Sequence, residues 1–430
     1  MTRYGTKSLF GSAEEAEDLS GGHIVRIAFD TGADTEFDYI VPDRFWPVQV
    51  GRRLEVPFGR GNKLTTGFCV AVIDEAPEEQ KSRRFKLKVV KKVIDNEPLV
   101  DGQLMALARW ISTYYVCPLG QVLAAVVPTA VKKGAGVRKQ SYVYLRRPGD
   151  DNADLPTSRK QKAIVDVLRR AGALDSDSGI AKAELLESAQ CTVAPLKQLV
   201  RKEIVGIEQK EILRALPAVP AGLSLEQAAI ELNSDQRKAL AHIADQLDSN
   251  RFGVTLLHGV TDSGKTEVYI RAIEKTVERG RTAIVLLPEI ALTAQTVQRF
   301  KSRFGRLAVL HSQLTGPQRN AQWRRIKAQK ADVVIGTRSA VFAPVSNLGL
   351  IVVDEEHEPG YKQDTTPRYH GRDVAIKRAQ ITGAHCLLGS ATPALETLHN
   401  CATKEHYLSL IHIWRCRRIR RCRSRWSPYH

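Results

Sequence analysis

The chain has 430 residues and a mass of 47.7 kDa, room for two to four domains that each bury a core of their own. With 43% hydrophobic and 26% charged residues it is not a chain too polar to fold, and the lack of any run of about 18 apolar residues argues against a membrane span. Net charge is +17, from 64 Lys and Arg against 47 Asp and Glu. That excess suits a polyanionic partner, since each neutralised phosphate releases condensed counterions, although a merely soluble basic surface would carry the same charge.

Residues 1–21 are polar and acidic and read as a disordered terminus. From 22 to 146 the pattern is short alternating runs at 24–28, 37–41, 53–56, 67–72 and 88–94, broken by turn residues, which predicts a small β-barrel or sandwich. A helix follows, with Leu104, Leu107, Trp110 and Ile111 on one face. A polar linker at 147–156 opens a second unit, 157–215, with helices expected at 158–170, 181–188 and 193–202 and a strand at 204–207. This content suggests a winged helix; an anonymous helical linker domain is the alternative. A Pro- and Ala-rich joint at 216–222 leads to a third unit, 223–407. Strands are expected there at 255–257, 283–287, 307–310, 333–335, 350–353 and 386–388, alternating with amphipathic helices. Such alternation predicts a mainly parallel sheet with helices on both faces, which binds ligands at the carboxyl ends of its strands.

Cys69, Cys117, Cys191, Cys386 and Cys401 are scattered without a Cys-x-x-Cys pair, so neither a disulfide framework nor a zinc site is expected in these residues. No basic leader precedes an apolar stretch, and a cytoplasmic location is the expectation.

Gly259-Val260-Thr261-Asp262-Ser263-Gly264-Lys265-Thr266 fits the phosphate-binding pattern G-x-x-x-x-G-K-[ST], between an expected strand and an expected helix. Backbone N–H groups of such a loop surround the phosphates of ATP, Lys265 adds a point charge, and Thr266 supplies an oxygen to Mg²⁺. Asp354-Glu355-Glu356-His357 follows an apolar strand. Asp354 would hold the metal through water and Glu355 would polarise the attacking water, whereas an ordinary acidic turn would show the same letters.

These motifs, with Gly389-Ser390-Ala391-Thr392, resemble motifs I, II and III of superfamily 2 helicases, and Leu287-Pro288-Glu289-Ile290-Ala291-Leu292-Thr293 resembles motif Ia. More specifically, the chain resembles the primosomal protein N′ (PriA) family of replication-restart helicases from about residue 25 to 407. The resemblance implies a RecA-like P-loop lobe, with ATP and Mg²⁺ as cofactors. It assigns Gln236, in Leu232-Asn233-Ser234-Asp235-Gln236, to adenine reading, and Lys265, Thr266, Asp354, Glu355 and His357 to hydrolysis. The segment Gly336-Thr337-Arg338 onward resembles a single-strand contact centred on Arg338. The stretch carrying Tyr361, Lys362, Arg368, Tyr369, His370 and Arg372 resembles an aromatic-rich loop linking DNA occupancy to hydrolysis. Aromatic faces would stack on bases there while Lys and Arg hold phosphates, unless Tyr361 and Tyr369 pack in the core. Phe37-Asp38-Tyr39, Gly59 and Lys88 match the family's pocket for a DNA 3′ end, where Phe37 or Tyr39 would stack on the terminal base. Without the resemblance they would read as barrel core.

Two departures stand out. Asp262 occupies a P-loop position where the family has glycine, which puts a negative charge beside phosphate. The run Leu408-Ser409-Leu410-Ile411-His412-Ile413 resembles a translated sequencing adapter, and residues 408–430, with seven arginines between Arg415 and Arg425, are expected to be foreign; a basic DNA-binding arm is the other reading. On that view the second motor lobe and the cysteine-rich zinc insertion of the family lie outside the chain, which would bind DNA without unwinding it. The resemblance implies forked or 3′-ended DNA, restart proteins and single-strand-binding protein as partners, with no membrane. The competing functions are a non-catalytic DNA-fork adaptor with a decayed nucleotide site, and another superfamily 2 translocase sharing motifs I to III.

Overall fold

The computed structural model describes residues 23–32, 34–73, 87–135, 137–146, 158–175, 178–213, 231–249, 251–260 and 263–413. The expected disordered terminus, the 147–156 linker, the 216–222 joint, Thr261, Asp262 and the arginine-rich end lie outside them. The described residues form two compact units, one from 23–133, 231–315 and 322–413, the other from 134–213 and 316–321.

The first unit opens with β1 (His23–Phe29), β2 (Phe37–Val41), β3 (Arg53–Phe58), β4 (Lys63–Ile73), β5 (Lys88–Val89) and β6 (Lys92–Val93), in the order β5-β2-β1-β4-β3-β6. The outermost strands belong to one short segment: β5 pairs with β2 and β6 with β3, so residues 88–93 join the two edges and curl the sheet toward a barrel. Side chains alternate across each strand. Val25, Ile27 and Phe29 point inward with Tyr39, Leu54, Val56 and Cys69, while Ala28, Phe68 and Val70 join a core made with helices. Those helices are α1 (Gly102–Tyr114), capped by the Asp101 carboxylate, α2 (Leu119–Val126) and α3 (Thr129–Lys132). A Cβ at Gly120 would lie 1.8 Å from Phe29 O, so α2 can approach β1 this closely only with glycine there.

The second unit contains β7 (Val137–Leu145), α4 (Arg159–Arg170), β8 (Ile180–Ala181), α5 (Lys182–Ser188), α6 (Val193–Arg201) and β9 (Val205–Leu213). Ser158 and Gln161 form a reciprocal capping box at the start of α4. The helices fall where the apolar period places them. The boundary does not: residues 137–145, assigned from sequence to the N-terminal domain, pair with β9 along their whole length. Local alternation marks a strand without naming its partner, and the strand order here is β8-β7-β9.

The first unit resumes with α7 (Ser234–Asp248), β10 (Gly253–Gly259), α8 (Lys265–Glu278), β11 (Thr282–Leu286), α9 (Ala294–Lys301), β12 (Leu307–Leu310) and α10 (Gly316–Lys327), of which residues 322–327 belong to this unit. It ends with β13 (Val333–Gly336), β14 (Leu348–Val353), α11 (Gly371–Thr382), β15 (His385–Ser390), α12 (Leu395–Thr403) and β16 (Tyr407–Ile413). The seven strands are parallel, in the order β12-β13-β11-β14-β15-β10-β16. Both faces are buried, as near-continuous apolar strands require. Ala283, Val285, Leu350 and Val352 pack with α7, α8 and α9; Ile284, Leu286, Ile351 and Val353 pack with α11, Trp323 and, through α1, with the N-terminal core. The lobe extends past the expected limit at Tyr407. Leu408–Ile413, expected to be foreign, lies beside β10 with Leu257 opposite Leu410, because its apolar alternation suits an edge position. No helix among the described residues is long and apolar enough to cross a membrane.

Candidate functional site

The carboxyl ends of β10, β11, β14 and β15 carry motifs I, Ia, II and III on neighbouring strands of one sheet. After β10 the chain turns through Ser263 N–H to Val260 O at 3.1 Å, and Gly264, at φ +84°, starts α8 in the left-handed region that only glycine enters freely. Lys265 is buried, and its ammonium donates to Gly259 O at 2.8 Å and Val260 O at 3.4 Å, with Glu355 Oε1 at 3.7 Å. Thr266 is half-buried on the first turn of α8. The Ser263 hydroxyl is buried without a hydrogen-bond partner among the described residues. A cationic side chain resting on loop carbonyls, beside an unsatisfied hydroxyl and a helix N-terminus, fits a bound triphosphate.

Gln236 does not present a free amide to a base. It is buried, its Oε1 accepts from Asn233 N–H at 2.9 Å and its Nε2 donates to Ser263 O at 2.8 Å. Here it braces the P-loop, and a Cβ at Gly264 would lie 2.5 Å from its Nε2.

The four residues after β14 diverge. The Asp354 carboxylate accepts from the Tyr269 hydroxyl at 3.1 Å; burial first, then the neighbouring Glu355 charge, raises its pKa above the usual carboxylate range. Glu355 takes φ +42°, unusual for a side chain with a Cβ and a strain of the kind found at functional sites. Its carboxylate lies between Lys265 and the Ala391 N–H, the latter at 3.5 Å. Glu356 is fully buried and accepts from Arg372 Nη1 at 3.0 Å, Thr397 Oγ1 at 3.0 Å and Ala394 N–H at 2.7 Å. His357 Nδ1 meets Ser390 Oγ at 2.7 Å, joining motif II to motif III. Nothing in the sequence separated Glu356 from its acidic neighbours or marked Tyr269, which reads as one more apolar position of its helix.

The aromatic-rich loop corrects three expectations. Tyr361 is buried, and its hydroxyl proton is shared between Asp354 O at 2.7 Å and Leu286 O at 3.0 Å. Tyr369 is buried edge-on against Phe342, with centroids 5.2 Å apart. Neither ring can stack on a base in this conformation. Arg372 is buried too, held by Glu356 and by Asp373 at 3.0 Å. Apolar bodies and a buried counter-charge draw these side chains inward. Arg338 donates to Gly360 O at 3.1 Å and to Lys362 O, so it fastens the loop. Lys362 and Arg368 are exposed; Lys362 donates to Arg368 O at 2.8 Å and lies over the Tyr115 ring at 5.2 Å. His370 is half-buried, with its backbone N–H on the Tyr115 hydroxyl at 3.1 Å.

A second site lies on the curled sheet. Tyr39 of β2 is in register with Lys88 of β5, and Lys88 Nζ donates to Gly59 O at 2.7 Å, so Phe37, Asp38, Tyr39, Gly59 and Lys88 come together. Asp38 is engaged by Arg26 Nε at 2.8 Å. Tyr39 belongs to the core: its hydroxyl donates to Pro57 O at 3.2 Å, and burial pushes its pKa up to about 12. Phe37 is half-buried and meets Phe58 edge-to-face at 5.2 Å, which leaves it as the ring of the pair that can receive a base. Gly59 has φ +70° and open space where a Cβ would stand.

Comparisons with known proteins agree with this division. The 3′ DNA-binding domain family matches residues 26–128, and the DEAD/DEAH box helicase family matches residues 233–401. The replication restart protein PriA of Bacillus subtilis is 34% identical over 427 residues, covering 85% of this chain and 52% of the relative. That of Haemophilus influenzae is 36% identical over 394 residues, covering 88% and 50%. That of Rickettsia prowazekii is 44% identical over 179 residues, covering 41% and 27%. The chain thus spans about half the length of the first two. Among solved structures, RecG bound to a three-way DNA junction aligns at a TM-score of 0.31 and 24% identity, over 42% of this chain and 24% of that one, a likeness too slight to argue from. With both family matches in the expected order and PriA relatives aligned across most of its length, the chain belongs to the PriA family of replication restart proteins.

Proposed function

We propose that the protein is an ATP-dependent 3′→5′ DNA helicase of replication restart, which recognises stalled forks and initiates primosome assembly. The observation that carries this reading is the convergence of Lys265, Asp354, Glu355 and Ser390 at the ends of adjacent strands, in a unit whose curled sheet gathers the 3′-end pocket residues. Magnesium-bound ATP supplies a phosphoanhydride whose hydrolysis drives conformational work. Lys265 would exchange loop carbonyls for phosphate oxygens, and Thr266 and Asp354 would hold the Mg²⁺, which would stabilise charge on the phosphates. Glu355 orients the nucleophile and takes its proton on a carboxylate oxygen. His357, with Nδ1 on Ser390 Oγ at 2.7 Å and 3.7 Å from Glu355 Oε2, ties the acidic turn to the end of β15.

DNA enters through Phe37 and the Gly59–Lys88 pair at a 3′ terminus, and through Lys362 and Arg368 along the backbone. Restart proteins and single-strand-binding protein are the expected partners in a cytoplasmic, nucleoid-associated setting. Among the described residues no group of three or more His, Cys, Asp or Glu side chains could hold a metal ion.

The test is ATP hydrolysis stimulated by single-stranded DNA in the full-length gene product, abolished by Lys265→Ala. A second reading, a DNA-fork adaptor without catalysis, is favoured by Asp262. Tight binding of 3′-ended forks with no hydrolysis before or after Asp262→Gly would establish the adaptor instead. Indifference to a free 3′-OH would point to another translocase.

A further inference from the structure

Tyr269 has no role in the reaction described above. It lies one turn beyond Lys265 on α8, 1% exposed, in an otherwise apolar cluster. Its hydroxyl nonetheless reaches across to the tip of β14 and donates to Asp354 Oδ1 at 3.1 Å. A third segment closes on the same atom. A Cβ built at Gly389, near the end of β15, would lie 1.5 Å from that hydroxyl and 2.6 Å from the ring carbon bearing it. Glycine at 389 is therefore what the phenol demands of its neighbour, and the phenol has one polar partner of consequence, the carboxylate assigned to the metal.

We propose that Tyr269 is a positioning residue for Asp354: the phenol fixes the rotamer of the metal-holding carboxylate and registers the P-loop helix against motifs II and III. The inference rests on the nucleotide reading above. A carboxylate at a strand tip has free rotation about its side-chain bonds. A neutral donor on the helix that carries Lys265 removes that freedom without competing for the metal's charge. The hydroxyl is anchored by a ring that cannot move without displacing the glycine backbone.

Tyr269→Phe keeps the ring and deletes only the donor. The assay is equilibrium binding of a fluorescent N-methylanthraniloyl-ADP to the 430-residue chain, with EDTA and across a Mg²⁺ titration, beside the parent, Asp354→Asn and Lys265→Ala. The nucleotide affinity in EDTA should stay within about twofold of the parent, while the Mg²⁺ concentration at half-response rises about three- to tenfold, as loss of one hydrogen bond of ordinary net strength implies. Asp354→Asn should remove the Mg²⁺ response altogether. An unchanged Mg²⁺ titration in Tyr269→Phe, with the response lost in Asp354→Asn, overturns the positioning role. Equal weakening with and without Mg²⁺ also overturns it, since that is what mere loosening of the fold would produce. If the parent binds no nucleotide even after Asp262→Gly, or binds it with no change in Lys265→Ala, the nucleotide reading itself fails and this inference with it.

Discussion

Arg372→Met should destabilise the first unit by about 3 kcal/mol, the lower end of the cost of breaking a buried ion pair. Glu356 has no solvent exposure and its carboxylate accepts three hydrogen bonds: from Arg372 Nη1 at 3.0 Å, Thr397 Oγ1 at 3.0 Å and Ala394 N–H at 2.7 Å. Methionine keeps most of the arginine stem's packing but removes the only formal positive charge among those three donors. The two surviving donors hold the cost below the 5 kcal/mol end of the range of about 3–5 kcal/mol. Adding Glu356→Gln removes the stranded charge, so the double variant should cost less than the two single changes together, with a coupling of about 1–3 kcal/mol. Urea unfolding followed by tryptophan fluorescence, in which Trp323 reports on this core, measures the stability, and hydrogen exchange across 389–397 shows where it is lost. At matched folded concentration, the slope of DNA affinity against salt should not move. A stability within 1 kcal/mol of the parent, with a salt slope reduced by about one, would refute the structural role of the Arg372–Glu356 pair and restore Arg372 as a phosphate contact.

Phe37→Leu should weaken binding of DNA with a free 3′ end by about 1–3 kcal/mol, the worth of one base stack, whereas Tyr39→Phe should cost only about 1 kcal/mol of stability, read by fluorescence anisotropy and denaturation respectively. Lys362→Ala and Arg368→Ala, both exposed, should each lower the salt slope of single-strand binding by about one, measured by titration between 50 and 200 mM salt, roughly the range over which phosphate contacts are read. His385 is buried with Nε2 on Thr255 Oγ1 at 2.9 Å, and burial, assisted by the His242 charge, lowers its pKa to about 4. The unfolded chain takes up this proton near pH 6.5, so the histidine's contribution is intact above that pH and is lost as pH falls toward 4. The loss is about 2 kcal/mol at pH 5, and His385→Gln should flatten a denaturation series from pH 7.5 to 5 by that amount. Asp262→Gly should tighten nucleotide binding by about 1 kcal/mol or more, the repulsion between like charges near a surface, measured by the same fluorescent ADP.

The P-loop and the acidic box were legible because each is a short string in a required context, an apolar strand ending in a turn before a helix, and the structure supplies that context at β10 and β14. The helices at 159–170 and 193–201 were legible as helical segments, and the Ser158–Gln161 cap that starts the first emerges only from the structure. What sequence could not decide was where an amphipathic side chain ends. Tyr361 and Tyr369 sit among Lys, Arg and Asp in the chain yet are buried in space, because the loop folds back on itself through Gln363 N–H to Tyr369 O at 2.9 Å and is pinned by Arg338. Tyr39 and Phe37 share a face of β2 and pack on the same core, but Tyr39 sits mid-strand in register with Lys88 while Phe37 stands half-buried at the strand's start, a difference set by pairing partners rather than by residue type. Strand partners are long-range choices, so residues 137–145, for which no strand was expected, fell in the wrong unit. Glu356 and Tyr269 were invisible as functional groups because burial and partnership, not residue type, give them their roles.

The account depends on one nucleotide site shared by Lys265 and Asp354, and a crystal of the chain soaked with ADP and Mg²⁺ tests it most directly. The account predicts phosphate density at the N-terminus of α8, Lys265 Nζ moved from Gly259 O onto it, and Asp354 facing the metal with Tyr269 still on its carboxylate. Nucleotide bound elsewhere, with Lys265 still on the Gly259 and Val260 carbonyls, would contradict it.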